Sequence, residues 1–507
     1  MSRFSLTRSY LRAYTVRHVH LRALFGALAI LLCCAALLAF VQYGTASLAD
    51  NDGFYHMRMA QMMRSDGLTP PFPWLPLTIL NDGDFYNHHL LYHIYLGFFA
   101  GDGSDAALIS GTKVASILMP ALAFTAIWWL LRGAEVPWAW AWAIGLCAVS
   151  EAFLYRMSLP RAQSASLLVL VLALHWLLRR RYALLVPLGF LYVWLYNAFP
   201  LLILVALIVV AAGFMTERRL EWRALIYPAA GIVLGLIINP YFPQNLIFII
   251  SHLVPKFGEL EVSVGNEWYP YRTWTLVENS GGALALWLLG VFALGWRGRR
   301  FDRATLAAFA LSVAFGLMLF KSRRFVEYFP PFALIFAALS SGPLLKEWLA
   351  GSQRFLRRAV PALLLAILIA TLTLTLLSAR LQIANARPAA TYADASAWLH
   401  TNAPTGSRIF NTDWDDFPRL FFYNTSATYI VGLDPTYLQL ADPARYDTWV
   451  QITRGDVAAP GAIIREQFGA TFVITDLRHG DFLRRAAADA HMHERYRDQY
   501  AVIFEIR

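Results

Sequence analysis

The sequence predicts a polytopic α-helical membrane protein, with about 11–13 transmembrane helices, that ends in an extracytoplasmic α/β domain. Three observations carry this. Of its 507 residues 58% are hydrophobic and only 15% charged, where a soluble chain carries roughly 25% charge, and the mean hydropathy is +0.47. Apolar segments of spanning length recur as far as about residue 380. Beyond Arg380 they stop, and short β-like runs alternate with helix-like stretches. The same composition argues against other classes. The net charge of +10 is mostly arginine gathered in loops, as membrane topology asks, so it does not imply a nucleic-acid partner. Cys33, Cys34 and Cys147 all fall in apolar runs and offer neither a disulfide framework nor metal spacing.

Residues 1–20 form a basic arm, since the first 22 residues hold five arginines and no acid. The apolar run at about 21–42 is long enough to cross a ~30 Å hydrocarbon core. No small-residue cleavage site follows it, so it reads as an uncleaved first helix with a cytoplasmic N-terminus. Further apolar segments lie at about 106–131, 137–150, 164–178, 182–197, 199–215, 224–239, 282–296, 304–320, 327–343 and 359–379, eleven with the first. The run at 240–255 reads as a re-entrant or surface helix. This gives a transmembrane domain over 21–380, with outer loops 43–105, 151–163 and 240–281, and a soluble domain over 381–507.

The charges test that topology. Inner loops would hold RRR (Arg179 to Arg181), ERRLEWR (Glu217 to Arg223), RGRR (Arg297 to Arg300) and QRFLRR (Gln353 to Arg358), short and arginine-rich as the positive-inside rule requires. One outer stretch disobeys: KSRR, Lys321 to Arg324. A charge cluster that breaks the rule is a functional suspect. In the last domain the runs SRIF, ATYIV, TFVIT and YAVIFEI read as strands, and DASAWLHT and APGAIIREQF as helices. The absence of a disulfide framework there points towards a bacterial inner membrane.

Four polar clusters stand out on the outer side. The first loop holds Asp50, Asp52, His56 and Arg58, then Asp82, Asp84, His88, His89 and His93. Water-facing loops carry charge for solubility alone, but carboxylates at a membrane exit also suit a divalent cation that neutralises phosphate. His89 and His93 are spaced to share a helix face, yet the glutamate of a zinc helix is missing. The second cluster, WYPYRTWTLVENSGG (Trp268 to Gly282), joins aromatics to Glu278 and ends in a flexible Ser-Gly-Gly. It reads as an interfacial aromatic belt or as an acceptor-binding loop. The third, KSRRFVEYFPP (Lys321 to Pro331), offers Arg323 and Arg324. These serve either as headgroup anchors or as planar forks for phosphate oxygens. The fourth, NTDWDDFPRL (Asn411 to Leu420), sets Trp414 among three acids, as an ordinary loop or a recognition loop facing the membrane.

In this order the four pieces resemble the catalytic subunits of oligosaccharyltransferases, members of the GT-C class of membrane glycosyltransferases. DGFYHMR (Asp52 to Arg58) looks like the D-x-x-Y-H-x-R pattern of that family's first outer loop, TLVE (Thr275 to Glu278) like its T-I-x-E, RFVEY (Arg324 to Tyr328) like its R-F-x-x-Y, and DWD (Asp413 to Asp415) like part of its W-W-D. The resemblance implies a metal-ligating Asp52, an acceptor-binding Glu278, a donor-phosphate contact at Arg324 with Arg323 beside it, and an acceptor site at Trp414 and Asp415. It implies a divalent cation (Mn or Mg), whose shell His56, His88 or His89 would complete, and a polyprenyl-(pyro)phosphate glycan donor. The acceptor would be protein asparagine. Two features depart from the pattern. The second outer loop, EAFLYRMSLPRAQSAS, lacks the family's acidic pair, which would fall near Gln163 and Ala165, and Asp413 stands where the first Trp belongs. The departures favour an alternative within the class, transfer of one sugar from a polyprenyl monophosphate to a lipid or polysaccharide. A transporter of a lipid-linked glycan is the alternative of another class. It predicts charges buried mid-span or paired half-helices, and the polar clusters instead sit at one face.

Overall fold

A backbone in lipid has no water to satisfy its polar groups, so an apolar spanning segment must be helical. The computed structural model describes residues 3–253, 265–298 and 301–507. Part of the outer loop 240–281 and part of the RGRR loop lie outside the described residues, as do Met1, Ser2 and the side chains of the rest of the basic arm. All eleven apolar segments fall on helices. Among the described residues seven helices are long and apolar enough to cross a membrane: Leu21–Gln42, Asp105–Gly133, Pro200–Glu217, Thr273–Trp296, Arg303–Lys321, Phe329–Gly351 and Leu356–Ala384. A helix pair, Glu151–Ser158 with Gln163–Leu178, is long and apolar enough when taken together but is bent by 105° at its break, the form of a broken span or a re-entrant loop. Ala139–Val149, Tyr182–Leu195 and Arg223–Ile237 are apolar but shorter.

Phe329–Gly351 forms the centre, with 78% of its most apolar window buried, while Leu356–Ala384, with 6% buried, presents its leucines outward. Such an exposed apolar face is what a lipid-facing helix offers. The central helix packs on Thr273–Trp296 and Arg303–Lys321. Gly290 permits one of these contacts, because a Cβ there would lie 2.7 Å from the Phe336 ring. The run at 240–255 is a short helix, Gln244–Leu253, and does not span. Its Phe248 is buried between His88 and Tyr437. At the end of the bundle away from Gln163, Arg180 and Arg303 both pair with Glu221, at 2.5 and 2.6 Å.

The C-terminal sheet has the order β2-β1-β3-β5-β4. β1 (Arg408–Asn411) lies parallel to both β2 (Thr428–Tyr429) and β3 (Phe472–Asp476), and β5 (Ala501–Ile506) runs antiparallel to β3 and to β4 (Met492–Arg497). All five residues of β3 are buried, as expected for a central apolar strand. β4 was not expected. Its sequence, MHERYR, is charged because it is an edge strand with only Met492 buried. The two expected helices form as Ala393–Asn402 and Pro460–Phe468.

The sheet domain docks onto the first outer loop, with its short helix Phe417–Tyr423 against the helix Asp52–Asp66 and the Tyr429 N–H donating to the Trp74 carbonyl at 2.8 Å. Arg419 is the pin. Its side chain is 1% exposed, its guanidinium lies 4.2 Å over the Phe54 ring, and its Nε donates to Asn51 Oδ1 at 2.8 Å. Arg58 completes the joint, donating from Nε to the Phe422 carbonyl at 2.8 Å. The joint brings the Trp414–Asp416 turn to the start of the Asp52 helix.

Candidate active site

The site begins with a broken helix. Proline cannot donate to a helix and clashes with the preceding turn. Pro160 falls in the break between Ser158 and Gln163, and the chain turns there by 105°. Arg161 sits in that break and extends its fork to three carboxylates. It donates to Asp50 from both Nε and a terminal nitrogen, the latter at 2.7 Å, and lies 3.0 Å from Asp52 Oδ2 and 3.3 Å from Glu267 Oε1. Arg156, one turn before the break, bridges Glu327 at 2.7 Å and Glu267 at 3.2 Å. Arg324 approaches Glu267 at 3.7 Å and lies 4.7 Å over the Trp268 ring. Glu267 is thus the hub of three guanidiniums. Burial pushes its carboxyl up, but Arg161, Arg324 and Arg156 together hold it well below the usual carboxylate range.

Asp52 behaves differently. Burial pushes its carboxyl up to about 7. Arg161 pulls it down, but that guanidinium is shared, and Asp50 and Glu267 push back. Its side chain keeps 27% exposure at the cavity wall. Asp415 is raised to about 8 by burial and then by the charge of Asp52. Its Oδ2 accepts from Asn51 at 2.8 Å. Two carboxylates in one cavity therefore take up or release a proton near neutrality, the property a general base requires.

The cavity between these groups has a volume of about 380 Å³. Among the residues to which the resemblance gave a role, Asp52, His56, His88, His89, Arg324, Trp414 and Asp415 line it. Two others do not. Glu278 is exposed on the helix Thr273–Trp296 and does not line the cavity. TLVE is not a loop, because that helix already begins at Thr273. Nor is the following Ser-Gly-Gly flexible. It lies inside the helix, where Gly282 admits the Val149 carbonyl, 2.0 Å from where a Cβ would be. Arg323 turns away, donating to the Pro270 carbonyl at 3.2 Å and lying 5.3 Å over the Tyr271 ring.

The residues present do not fit the expected Mn or Mg. Such ions take about six oxygen ligands. Among the described residues no group of three or more His, Cys, Asp and Glu is placed to hold a metal ion. The Asp52 carboxylate is engaged by Arg161. His56 Nδ1 is 2.8 Å from His93 Nε2, and His89 stacks on Tyr196 with ring centres 5.5 Å apart. Burial lowers both His56 and His89 well below the ordinary imidazole value, so they stay neutral at pH 7. His88 packs on Phe248 instead, with ring centres 5.3 Å apart. The ligand roles expected for Asp52, His56, His88 and His89 thus have no convergent set.

Sequence reasoning missed Arg156, Arg161, Glu267 and Glu327. A signal was available for the arginines. Two cations in an outer loop as short as 151–163 break the positive-inside rule as clearly as KSRR does. Two more atoms belong to this picture. Gln163 is 3% exposed at the cavity wall, and its Oε1 has no hydrogen-bond partner. The Nε of Arg324 is likewise buried without one.

No protein-family profile matches the chain, and no curated protein matches it in sequence. Solved structures do match. The archaeal oligosaccharyltransferase AglB from Archaeoglobus fulgidus, in complex with an inhibitory peptide and a dolichol-phosphate, aligns with a TM-score of 0.64 at 16% identity over 92% of this chain and 71% of its own. ArnT from Cupriavidus metallidurans bound to undecaprenyl phosphate aligns at 0.55 and 17% identity over 94% and 98%. The arabinofuranosyltransferase AftD from Mycobacteria aligns at 0.56 and 16% over 94% and 41%. At these identities the likeness establishes the fold. It is the one the four motifs led us to expect, that of the GT-C membrane glycosyltransferases, and the chain is an integral membrane protein.

Proposed function

We propose that this protein is a glycosyltransferase that moves a sugar from a polyprenyl-phosphate donor to an acceptor hydroxyl on a lipid or polysaccharide. The observation that carries the reading is the pairing of Asp52, ionising near pH 7, with Arg324 in one cavity at the foot of a docked sheet domain. The acceptor O–H gives its proton to the Asp52 carboxylate as its oxygen bonds to C1 of the sugar. The bond from C1 to the phosphate oxygen breaks with its electron pair, and Arg324 receives the growing charge on the phosphate. Attack opposite the leaving phosphate inverts C1. Two of the similar structures were solved with dolichol-phosphate or undecaprenyl phosphate, which supports a lipid-phosphate donor. The reaction would take place on the side opposite the arginine-rich loops, the periplasmic face of a bacterial inner membrane.

Protein asparagine is the second reading. The placement of Trp414 and Asp415 in the cavity wall favours it. Against it stand Glu278, exposed and off the cavity, and Asp413, which accepts from the Asp415 N–H at 3.0 Å where the family has a Trp. The deciding experiment uses the full chain in detergent, lipid extract of the source organism and a fluorescent Asn-x-Thr peptide, with mass spectrometry following peptide, lipid and donor together. A sugar gained by lipid or polymer, and lost in Asp52→Ala, supports the first reading. A glycan on the peptide moves the acceptor to asparagine. An untouched donor pool refutes the enzyme and leaves a lipid-linked glycan transporter.

A further inference from the structure

Three consecutive residues after the first span divide their work. Asp50 and Asp52 turn to Arg161 in the second outer loop. Asn51, between them, turns to the sheet domain. It stands immediately before the helix Asp52–Asp66, where an asparagine side chain usually accepts a hydrogen bond from the first helical turn. It makes no such bond. Its Oδ1 instead accepts from Arg419 Nε at 2.8 Å, and its Nδ2 donates to Asp415 Oδ2 at 2.8 Å and to the Asp415 carbonyl at 3.1 Å. A guanidinium can only donate, so Arg419 admits the amide oxygen alone, and the amide N–H groups are left to face Asp415. Arg419 is itself fixed, because its terminal nitrogens donate to the Pro388 carbonyl at 2.8 Å and to the Arg387 carbonyl at 3.2 Å.

We infer that Asn51 is a positioning residue for Asp415: held by Arg419, its amide aims the sheet domain's carboxylate into the cavity beside Asp52, so that the acceptor end of the site is assembled across the docked joint. The neighbouring acids support this. Asp413 pairs with Arg478 at 3.5 Å and Asp416 with Arg387 at 3.1 Å, and neither lines the cavity. Asp415 does line it, and among the described residues it has no cation as a partner. The charged groups that face it are Asp52 and Asp50 from the first loop and Asp413 and Asp416 from its own turn, all of them acids. Burial and these charges press Asp415 towards its protonated form, while N–H groups donated by Asn51 favour the carboxylate. Asn51 thus gives Asp415 a neutral donor where its two neighbours have cations. The amide engages Oδ2, which leaves Oδ1 for an acceptor hydroxyl. That last role rests on the proposed function; the hold of Asn51 on Asp415 does not.

The test uses the full chain in detergent and follows the Asp415 carboxyl by infrared titration, its band being the one that Asp415→Asn deletes in the same background. Asn51→Leu removes both ends of the amide. Asn51→Asp is the decisive variant, because it keeps an acceptor for Arg419 and loses only the donor to Asp415. In Asn51→Asp the chain between Ala384 and Ala393 should resist limited proteolysis as the parent does. We expect Asp415 to titrate about one pH unit higher in both variants than in the parent. Transfer in lipid extract of the source organism should fall about tenfold at limiting extract and less than about threefold at saturating extract, the mark of weakened binding. An Asp415 titration in Asn51→Asp equal to the parent's overturns the inference. So does a joint that opens to protease in Asn51→Asp, which would make Asn51 a docking residue and nothing more. A raised titration with transfer unchanged at every extract concentration overturns the acceptor role of Asp415. A parent that transfers no sugar at all overturns the proposed function, and the infrared titration still decides whether Asn51 holds Asp415.

Discussion

Replacing Asp52 by asparagine separates catalysis from stability. The Asp52 carboxyl ionises at about 7 in the fold, against 3.8 for an ordinary aspartate. At pH 6 about a tenth of the molecules carry the base and at pH 8 about nine-tenths, so transfer should rise close to tenfold across that interval. Asp52→Asn removes the base. Its rate should fall about 10²–10⁴-fold, the usual worth of a positioned base, and the acidic limb should vanish. Stability runs the other way. A carboxyl whose pKa is raised by folding favours the fold below the unfolded value, and that advantage is lost as pH climbs from about 4 to 7. At pH 8 the fold carries the whole cost of holding Asp52 ionised. Asp52→Asn should therefore unfold at a higher temperature than the parent at pH 8, with the gain shrinking towards zero near pH 4. The assay pairs pH-dependent transfer with thermal unfolding of the same detergent preparations. An acidic limb that survives in Asp52→Asn and disappears in Asp415→Asn would give the base to Asp415. A variant no more stable than the parent at pH 8 would refute the argument that burial raises Asp52.

Three further outcomes follow from the same geometry. Glu267→Gln should destabilise the protein by about 3–5 kcal/mol, because it strips the shared partner from three buried guanidiniums; a melting temperature equal to the parent's would deny Glu267 its role as hub. Glu278→Ala should leave transfer within about twofold of the parent, since exposed substitutions away from special features change little; a large loss would bring Glu278 back as an acceptor ligand. Arg419→Ala should loosen the sheet domain, because buried hydrogen bonds to a charged group are worth roughly 1.5–3 kcal/mol each. Limited proteolysis should then cut between Ala384 and Ala393, where the parent resists, and unchanged resistance would show that the apolar contacts suffice.

The fold was legible because its physics is periodic. Spanning helices and buried strands must be apolar over their length, so all eleven helical segments and four of the five strands announce themselves in composition. β4 hid because an edge strand is free to be charged. The site was legible where a motif puts its chemistry on one short element, as in Asp52 or Arg324. Glu267 was not legible, since its role exists only through three arginines 57 to 111 residues away in the chain. TLVE misled because four residues match a pattern whether they lie in a loop or in the first turns of a helix, and only the helix start at Thr273 decides.

The arginines that break the topological rule explain one another. A cation on the outer side of a membrane protein gains nothing from the positive-inside rule, so it needs another source of stability. Arg156, Arg161 and Arg324 find it in Glu267, Glu327, Asp50 and Asp52. A closed set of ion pairs of this kind is weak evidence for stability, because well-packed apolar residues would often serve as well or better. What apolar residues cannot do is leave donors facing a cavity. Arg324 itself reaches the cavity wall, although its Nε is buried without a partner. The acids then hold the guanidiniums in place and keep them charged. On this argument the carboxylates of the outer loops position cations already built into the chain, which is the reverse of the role that a metal-binding aspartate would give them.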